Sequence, residues 1–314
     1  LDQRRLPAAE GVQTCTTIDD VVGAIRTLTV RGAPAIGIAA AYGLLLESRD
    51  VSIAELNAQG ERLKAARPTA VNLAWAVDRM LGAVNDAPQE AADRHSQLER
   101  EAIAIHQEDA RACRAIGDAG ADLIRQHPNV LTHCNAGALA VSEYGTALAP
   151  IYRAHEQGVP VHVFVDETRP LLQGSRLTAY ELHRQGVDCT LITDNMAARM
   201  MAEGRVDLVI VGADRVAANG DVANKIGTLN LAILCEYFGL PFYVACPLST
   251  VDGATACGEN IVIEERDGEE VRALAGTATT VAGIKVRNPA FDVTPAALVH
   301  GICLLYTSDA ADES

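Results

Sequence analysis

From Ile18 onward the apolar residues Val21, Val22, Ile25 and Leu28 recur at helical spacing, one stripe of an amphipathic helix with Thr16 or Thr17 as its cap. RGAPAIGIAAAYGLLLES follows, where Pro34 suits a first helical turn and the Ala and Gly content predicts close packing on all sides. Ser52 caps a third helix, RPTAVNLAWAVDRM starts a fourth behind Pro68, and a long polar-faced helix covers much of 88–126. Near residue 129 the rhythm changes. Short apolar β-rich runs (NVLTHC, VHVFVDE, CTLIT, DLVIVGAD and PFYVAC) alternate with helical patterns over 146–157, 176–185, 195–203 and 226–238. Continuous apolar strands alternating with helices predict a parallel sheet covered on both faces. The expected fold is α/β: a helical N-terminal domain over 1–127, then a Rossmann-like, doubly wound domain over 128–302, divided near His127-Pro128.

Both ends read differently from the rest. The chain opens at Leu1, without a methionine, and reads as incomplete there. At the other end a helical pattern from Pro295 runs into residues 303–314, which lack periodicity and read as a tail foreign to the fold.

Composition narrows the function classes. The 314 residues are 49% apolar, enough for a substantial core. With 41 acidic against 26 basic side chains the net charge is −15, which argues against nonspecific binding to nucleic acid or to anionic membranes. An anionic ligand would need a few local Arg, Lys or backbone N–H groups to hold it. Eight cysteines occur without any CxxC spacing, so a zinc knuckle or dithiol motif is disfavoured and reduced thiols are expected. No signal peptide or bilayer-length apolar run is read, and the expected location is the cytoplasm.

Open parallel sheets bind ligands outside the carboxyl ends of their strands. Here the ends are His133-Cys134-Asn135, Asp166 to Arg169, Thr193 to Asn195, Gly212 to Arg215 and Cys246 to Thr250, each turning polar after an apolar run. Cys134 and Asp214, 80 residues apart (214 − 134), therefore fall on one rim. Taken singly each has a bland reading, a packed thiol and a loop-capping carboxylate. No GxGxxG follows the first strand, so a dinucleotide site is weakly supported.

Six segments in this order, RGAPAIGIAAAYG, RPTAVNLAWAVDRM, LTHCNAGALA, VDETRPLLQGSRLTAYEL, VGADRVAANGDVANKIGT and NPAFDVTP, resemble the 5-methylthioribose-1-phosphate isomerase family. That family is shared with regulatory subunits of an initiation-factor exchange factor. The resemblance runs from Leu1 to about Pro295; VSEYGT departs from it, placing Glu143 beside the Cys134 loop. It implies an aldose–ketose isomerase of methionine salvage and a homodimer, and it calls for no nucleotide, flavin or metal cofactor.

The implied reaction sets physical demands. The anomeric oxygen carries phosphate, so the sugar cannot open as a free hemiacetal. A phosphate clamp, an acid near the ring oxygen and a sheltered site are required. Arg31-Gly32-Ala33 before Pro34 suits the clamp through arginine, close backbone approach and a helix N-terminus, although RGAP alone is more often an ordinary helix start. By resemblance, Arg31, Gly32, Ala33, Arg67, Gln173, Asn224 and Lys225 bind substrate while Asp214 and Cys134 are catalytic. Asp214 would donate a proton in ring opening, and Cys134 would stabilise the transition state or shuttle a proton. Hydrogen would pass from C2 to C1 either as hydride or through an enediol-type intermediate.

His133 reads as structural, because strand neighbours face opposite ways. Asp166, Glu167 and Asp194 read as loop-ordering groups rather than metal ligands, and Asn219-Gly220-Asp221 as a turn that shapes the pocket. Two other readings remain: an isomerase of ribose 1,5-bisphosphate or 5-deoxyribose 1-phosphate, and a non-catalytic regulatory subunit.

Overall fold

The computed structural model describes residues 1–67, 69–85, 90–274 and 276–303. Pro68, residues 88 and 89 of the expected long helix and residues 304–314 of the expected tail lie outside the described residues.

Five helices form the first part: α1 (Ile18–Arg26), α2 (Ala33–Leu45), α3 (Ile53–Lys64), α4 (Val71–Asn85) and α5 (Ala91–Gln126). Thr17 and Ser52 close capping boxes with Asp20 and Glu55, so two of the expected helix starts rest on reciprocal side-chain bonds. Gly32 caps α2 with φ +97° and Pro34 sits in its first turn. Helix α4 begins at Val71, so Arg67 belongs to the preceding loop and not to a helix start. Helix α5 serves two cores: Leu98, Ala102 and Ile105 join the helical cluster, while Ile116 and Ile124 pack under the sheet.

The sheet is built from β1 (Asn129–Thr132), β2 (His162–Asp166), β3 (Asp188–Ile192) and β4 (Leu208–Val211), with α6 (Ala149–Glu156), α7 (Ala179–Arg184) and α8 (Ala197–Ala202) between them. A hairpin follows, β5 (Arg215–Ala217) and β6 (Val222–Lys225), then α9 (Thr228–Phe238) and β7 (Phe242–Ala245). Strands β8 (Val251–Asp252), β9 (Ala273–Leu274), β10 (Thr277–Ala278), β11 (Phe291–Thr294) and β12 (Gly301–Cys303) complete the chain. The main sheet has six parallel strands in the order β12-β7-β4-β1-β2-β3. Val130, Val163, Leu208 and Ile210 face one core, and their neighbours Leu131, Phe164, Val209 and Val211 the other. Period-two alternation with both faces buried explains the uninterrupted apolar strands.

Three expectations are corrected. The helical pattern from Pro295 is a short 3-10 turn followed by β12, whose backbone partners come from β7. Cys303, read as the first residue of the foreign tail, pairs with Ala245 in that sheet. Residues 174–178 form a π-helical turn ahead of α7, and Gly174 at its start lies against the carbonyl of Asp166, where an added Cβ would sit 1.6 Å from that oxygen. A second sheet, β11-β6-β5-β8, had no counterpart in the sequence reading.

Candidate active site

Chain order places β2 and β3 on one side of β1, and then β4 on its other side. The crevice of a doubly wound sheet opens at such a reversal. Here it opens between the carboxyl ends of β1 and β4, where Cys134 and Asp214 leave the sheet. A cleft of about 800 Å³, counting its open mouth, lies over this point. Its walls include Arg31, Gly32, Ala33, Arg67, Cys134, Gln173, Asp214, Asn224 and Lys225, so all nine candidate residues meet there.

Cys134 is buried and sits at φ +62°, a left-handed conformation that strains a side chain with a Cβ. Two threonines hold it: its N–H donates to Thr168 Oγ1 (2.7 Å), and its carbonyl accepts from Thr178 Oγ1 (2.6 Å). Asp214 is half-buried, and its N–H donates to the Ala223 carbonyl. Burial lifts its carboxyl above the usual carboxylate range, while Lys225, Arg67 and Arg31 pull it back.

Four cations line the cleft of this acidic chain: Arg31, Arg67, Lys225 and Arg266. The Arg31 guanidinium donates to Asn135 Oδ1 (2.8 Å) and to the Asn135 carbonyl (2.7 Å). Asn135 in turn donates to the buried carboxylate of Glu181 (2.8 Å), which also accepts from Ala138 and Leu139 N–H. Arg67 pairs with Glu264 (3.2 Å), which Arg266 also contacts at 2.9 Å. Burial alone would raise the Glu264 carboxyl, but these two guanidiniums hold it below its ordinary range. Lys225 ends β6, with α9 beginning three residues later and not at Ile226. Its ammonium donates to the Ala290 carbonyl (2.8 Å) and lies 4.4 Å from the Phe291 ring centroid. Burial pushes its pKa down. Asn224 donates to Thr228 Oγ1 (3.0 Å), and the buried Gln173 side-chain oxygen has no partner among the described residues.

Helix α2 delivers Gly32 and Ala33 to the cleft, with Gly32 packed against the Ala140 backbone. Its first turn and the surrounding cations suit an anion, and Asp214 beside them suits a proton donor.

Asn135 and Thr168 fall on the rim in the sequence reading without a role, and Glu181, Glu264 and Arg266 escape it. Glu264 and Arg266 lie in the charge-dense EERDGEE stretch, which has no periodicity to set it apart from a solvated loop. Glu143 turns outward and pairs with Arg114. The 219–221 turn links β5 to β6, and Asp221 accepts from Gly258 and Ala296 N–H, so it braces the second sheet rather than lining the cleft. Asp194 accepts from Thr168 and Arg169 N–H, ordering that loop. A ring nitrogen of His133 and one carboxylate oxygen each from Asp166 and Asp194 lie within 4.8 Å of one another, but the Asp194 oxygens are taken by backbone donors. All eight cysteines are free thiols, and no described helix is long and apolar enough to cross a membrane.

Comparison with known proteins agrees with this architecture. A methylthioribose-1-phosphate isomerase of an Anaeromyxobacter species is 58% identical over 303 residues, covering 96% of this chain and 88% of the relative. One from Chloroflexus aurantiacus is 55% identical over 311 residues, with 96% and 89% covered. The crystal structure of 5-methylthioribose 1-phosphate isomerase from Pyrococcus horikoshii superposes with a TM-score of 0.86 at 42% identity, covering 96% of this chain and 86% of that one. The crystal structure of the translation initiation factor eIF-2B, subunit delta, from A. fulgidus reaches 0.81 at 40% identity, with 96% and 90% covered. Residues 29–303 match the model of the initiation factor 2 subunit family, and the chain belongs to that family.

Proposed function

We infer that this chain is an aldose–ketose isomerase that converts 5-methylthioribose 1-phosphate to 5-methylthioribulose 1-phosphate, a step of methionine salvage. Relatives of that name at 53–58% identity over 96% of the chain carry the reading. The cleft gives it chemical sense.

In this reading the substrate phosphate sits at the N-terminus of α2, against Arg31 and the Gly32–Ala33 backbone, with Arg67 and Lys225 completing the cationic wall. Asn224 and the unpartnered oxygen of Gln173 bond sugar hydroxyls, which satisfies a buried acceptor. Desolvation raises the Asp214 carboxyl and favours its protonated form, which delivers a proton to the ring oxygen as the C–O bond breaks. Cys134 sits across the crevice at the C1–C2 edge, where its thiol stabilises the transition state or shuttles a proton. Residues 1–127 supply the phosphate clamp and 128–302 the catalytic rim, in a cytoplasmic homodimer.

A regulatory-subunit reading draws on the 40% identity to the eIF-2B delta structure. A purely structural descendant has no physical need to gather Cys134, Asp214, Asn224 and Lys225 around one cleft. Assays of purified protein with 5-methylthioribose 1-phosphate, 5-deoxyribose 1-phosphate and ribose 1,5-bisphosphate at equal concentration test the assignment. Turnover should be highest with the methylthio sugar. Preference for the bisphosphate would move the assignment to that sugar, and inactivity with all three would favour the regulatory reading.

A further inference from the structure

His133 is 1% exposed and lies one residue before Cys134. Its two ring nitrogens meet two acceptors: Nδ1 lies 3.0 Å from Asp166 Oδ2 and Nε2 lies 2.8 Å from the Ile226 carbonyl. A carbonyl cannot donate. A neutral ring has one N–H, so it satisfies both contacts only if Asp166 supplies the other proton. Burial lifts the Asp166 carboxyl while the ring's hydrogen bond and charge pull it back, and the same contact raises the imidazole, so the shared proton rests on the ring. Among the described residues the other Asp166 oxygen has no hydrogen-bond partner, so the ring is where the carboxylate finds compensation.

The contacts join two parts of the crevice. Asp166 ends β2, and Ile226 follows Lys225 in the link to α9. The ring also lies flush against Gly227 (φ +104°), where an added Cβ would come within 2.9 Å of Cε1 and Nε2. One side chain therefore ties the Cys134 rim to the segment that presents Asn224 and Lys225.

We propose that His133 is a buried imidazolium that acts as a positioning residue, setting Cys134 and Lys225 at a fixed separation across the cleft. This assignment of a role in turnover rests on the isomerase reading; the protonation state does not. The groups facing the ring are acidic: Asp166 on β2, Asp194 after β3 and Asp292 on β11, with Glu167 beside Asp166. Burial alone would push the imidazole pKa down, but the bond and charge of Asp166 hold it above the ordinary value. With the folded value raised, the stabilisation is complete below the unfolded pKa of about 6.5 and is lost as pH rises through the folded one.

The test uses the full chain with 15N-labelled histidine, and the His133→Gln spectrum assigns the signal. At pH 7.5, where an ordinary imidazole is about nine-tenths neutral, the His133 ring should show two N–H protons, both slow to exchange. A neutral ring with a single N–H at that pH overturns the proposal, whatever the activity. In kinetics, H133Q should lower kcat about 10–100-fold as Cys134 is displaced, and raise KM about threefold or more as Lys225 shifts in the cationic wall. Wild-type kcat in H133Q overturns the positioning role even if the ring proves charged. Should H133Q fail to fold, the wild-type spectrum, assigned through the other seven histidine variants, still decides the protonation state.

Discussion

Asp214→Asn lowers turnover by about 10²–10⁴-fold, the range a positioned general acid contributes, while leaving substrate and product binding near their wild-type strength. Asparagine matches the carboxyl in shape, so the cleft and the Ala223 contact of the backbone survive. What it lacks is a proton to give. The wild-type profile carries the same information. The acid acts only while protonated, and burial raises its pKa, so activity persists above the ordinary carboxylate range and falls as pH rises through the elevated value. Lys225 opposes this elevation; its own pKa is lowered by burial, and its loss of charge at high pH would favour protonated Asp214. The Asn variant should lack the alkaline limb that Asp214 creates. Steady-state kinetics over a pH series, with product affinity measured by calorimetry, checks both parts. Turnover within a factor of about three of wild type would remove Asp214 from the chemistry.

Gly32→Ala acts on the opposite wall with an effect of similar weight. At φ +97° an L side chain is strained, at a cost of about 1–3 kcal/mol. The methyl would also lie 2.3 Å from the Ala140 carbonyl oxygen and 2.5 Å from the Ala140 Cα, which cannot yield without moving the turn after β1. Overpacking of that kind adds about 1–3 kcal/mol. The sum predicts a loss of about 2–6 kcal/mol in denaturant unfolding, from the same two terms. If the chain relieves the clash by tilting α2, the N-terminal N–H groups and Arg31 leave the anion, and kcat/KM falls about 100-fold or more, as a 1 Å misplacement is able to cause. Unchanged stability together with unchanged kcat/KM would show that this close approach matters to neither fold nor binding.

Both variants probe one arrangement: an anion held between the first turn of α2 and a cationic wall, facing a thiol and a carboxyl on adjacent strands. The net charge of −15 makes that wall the more telling. Arg67 and Arg266 are each paired with acids, and Arg31 is held by Asn135 above the buried Glu181. Partners of this kind hold the cations in place before a ligand arrives, which limits the ordering cost of binding.

Hydrophobic periodicity alone determined most of the elements. The stripe from Ile18, the helix at Pro34 and the five apolar runs of the sheet follow from local spacing, because a period of 3.6 or a continuous buried run constrains each segment by itself. The polar residues closing those runs also marked the rim on which Cys134 and Asp214 stand. Strand order was a different matter. β1 and β4 are separated by two strands in sequence yet share an edge of hydrogen bonds, and only the packed sheet reveals that the crevice opens between them. The hairpin β5–β6 was too short to register beyond its turn. Strand β12 carries a helical pattern that its pairing with β7 overrides, since three residues hold little intrinsic preference against a ladder of backbone bonds. Glu181, Glu264 and Arg266 look in sequence like ordinary solvated charges. The burial of Glu181, the half-burial of Glu264 and Arg266, and their hold on Arg31 and Arg67 depend on which distant segments meet around them, and that is decided by the whole fold rather than by any local window.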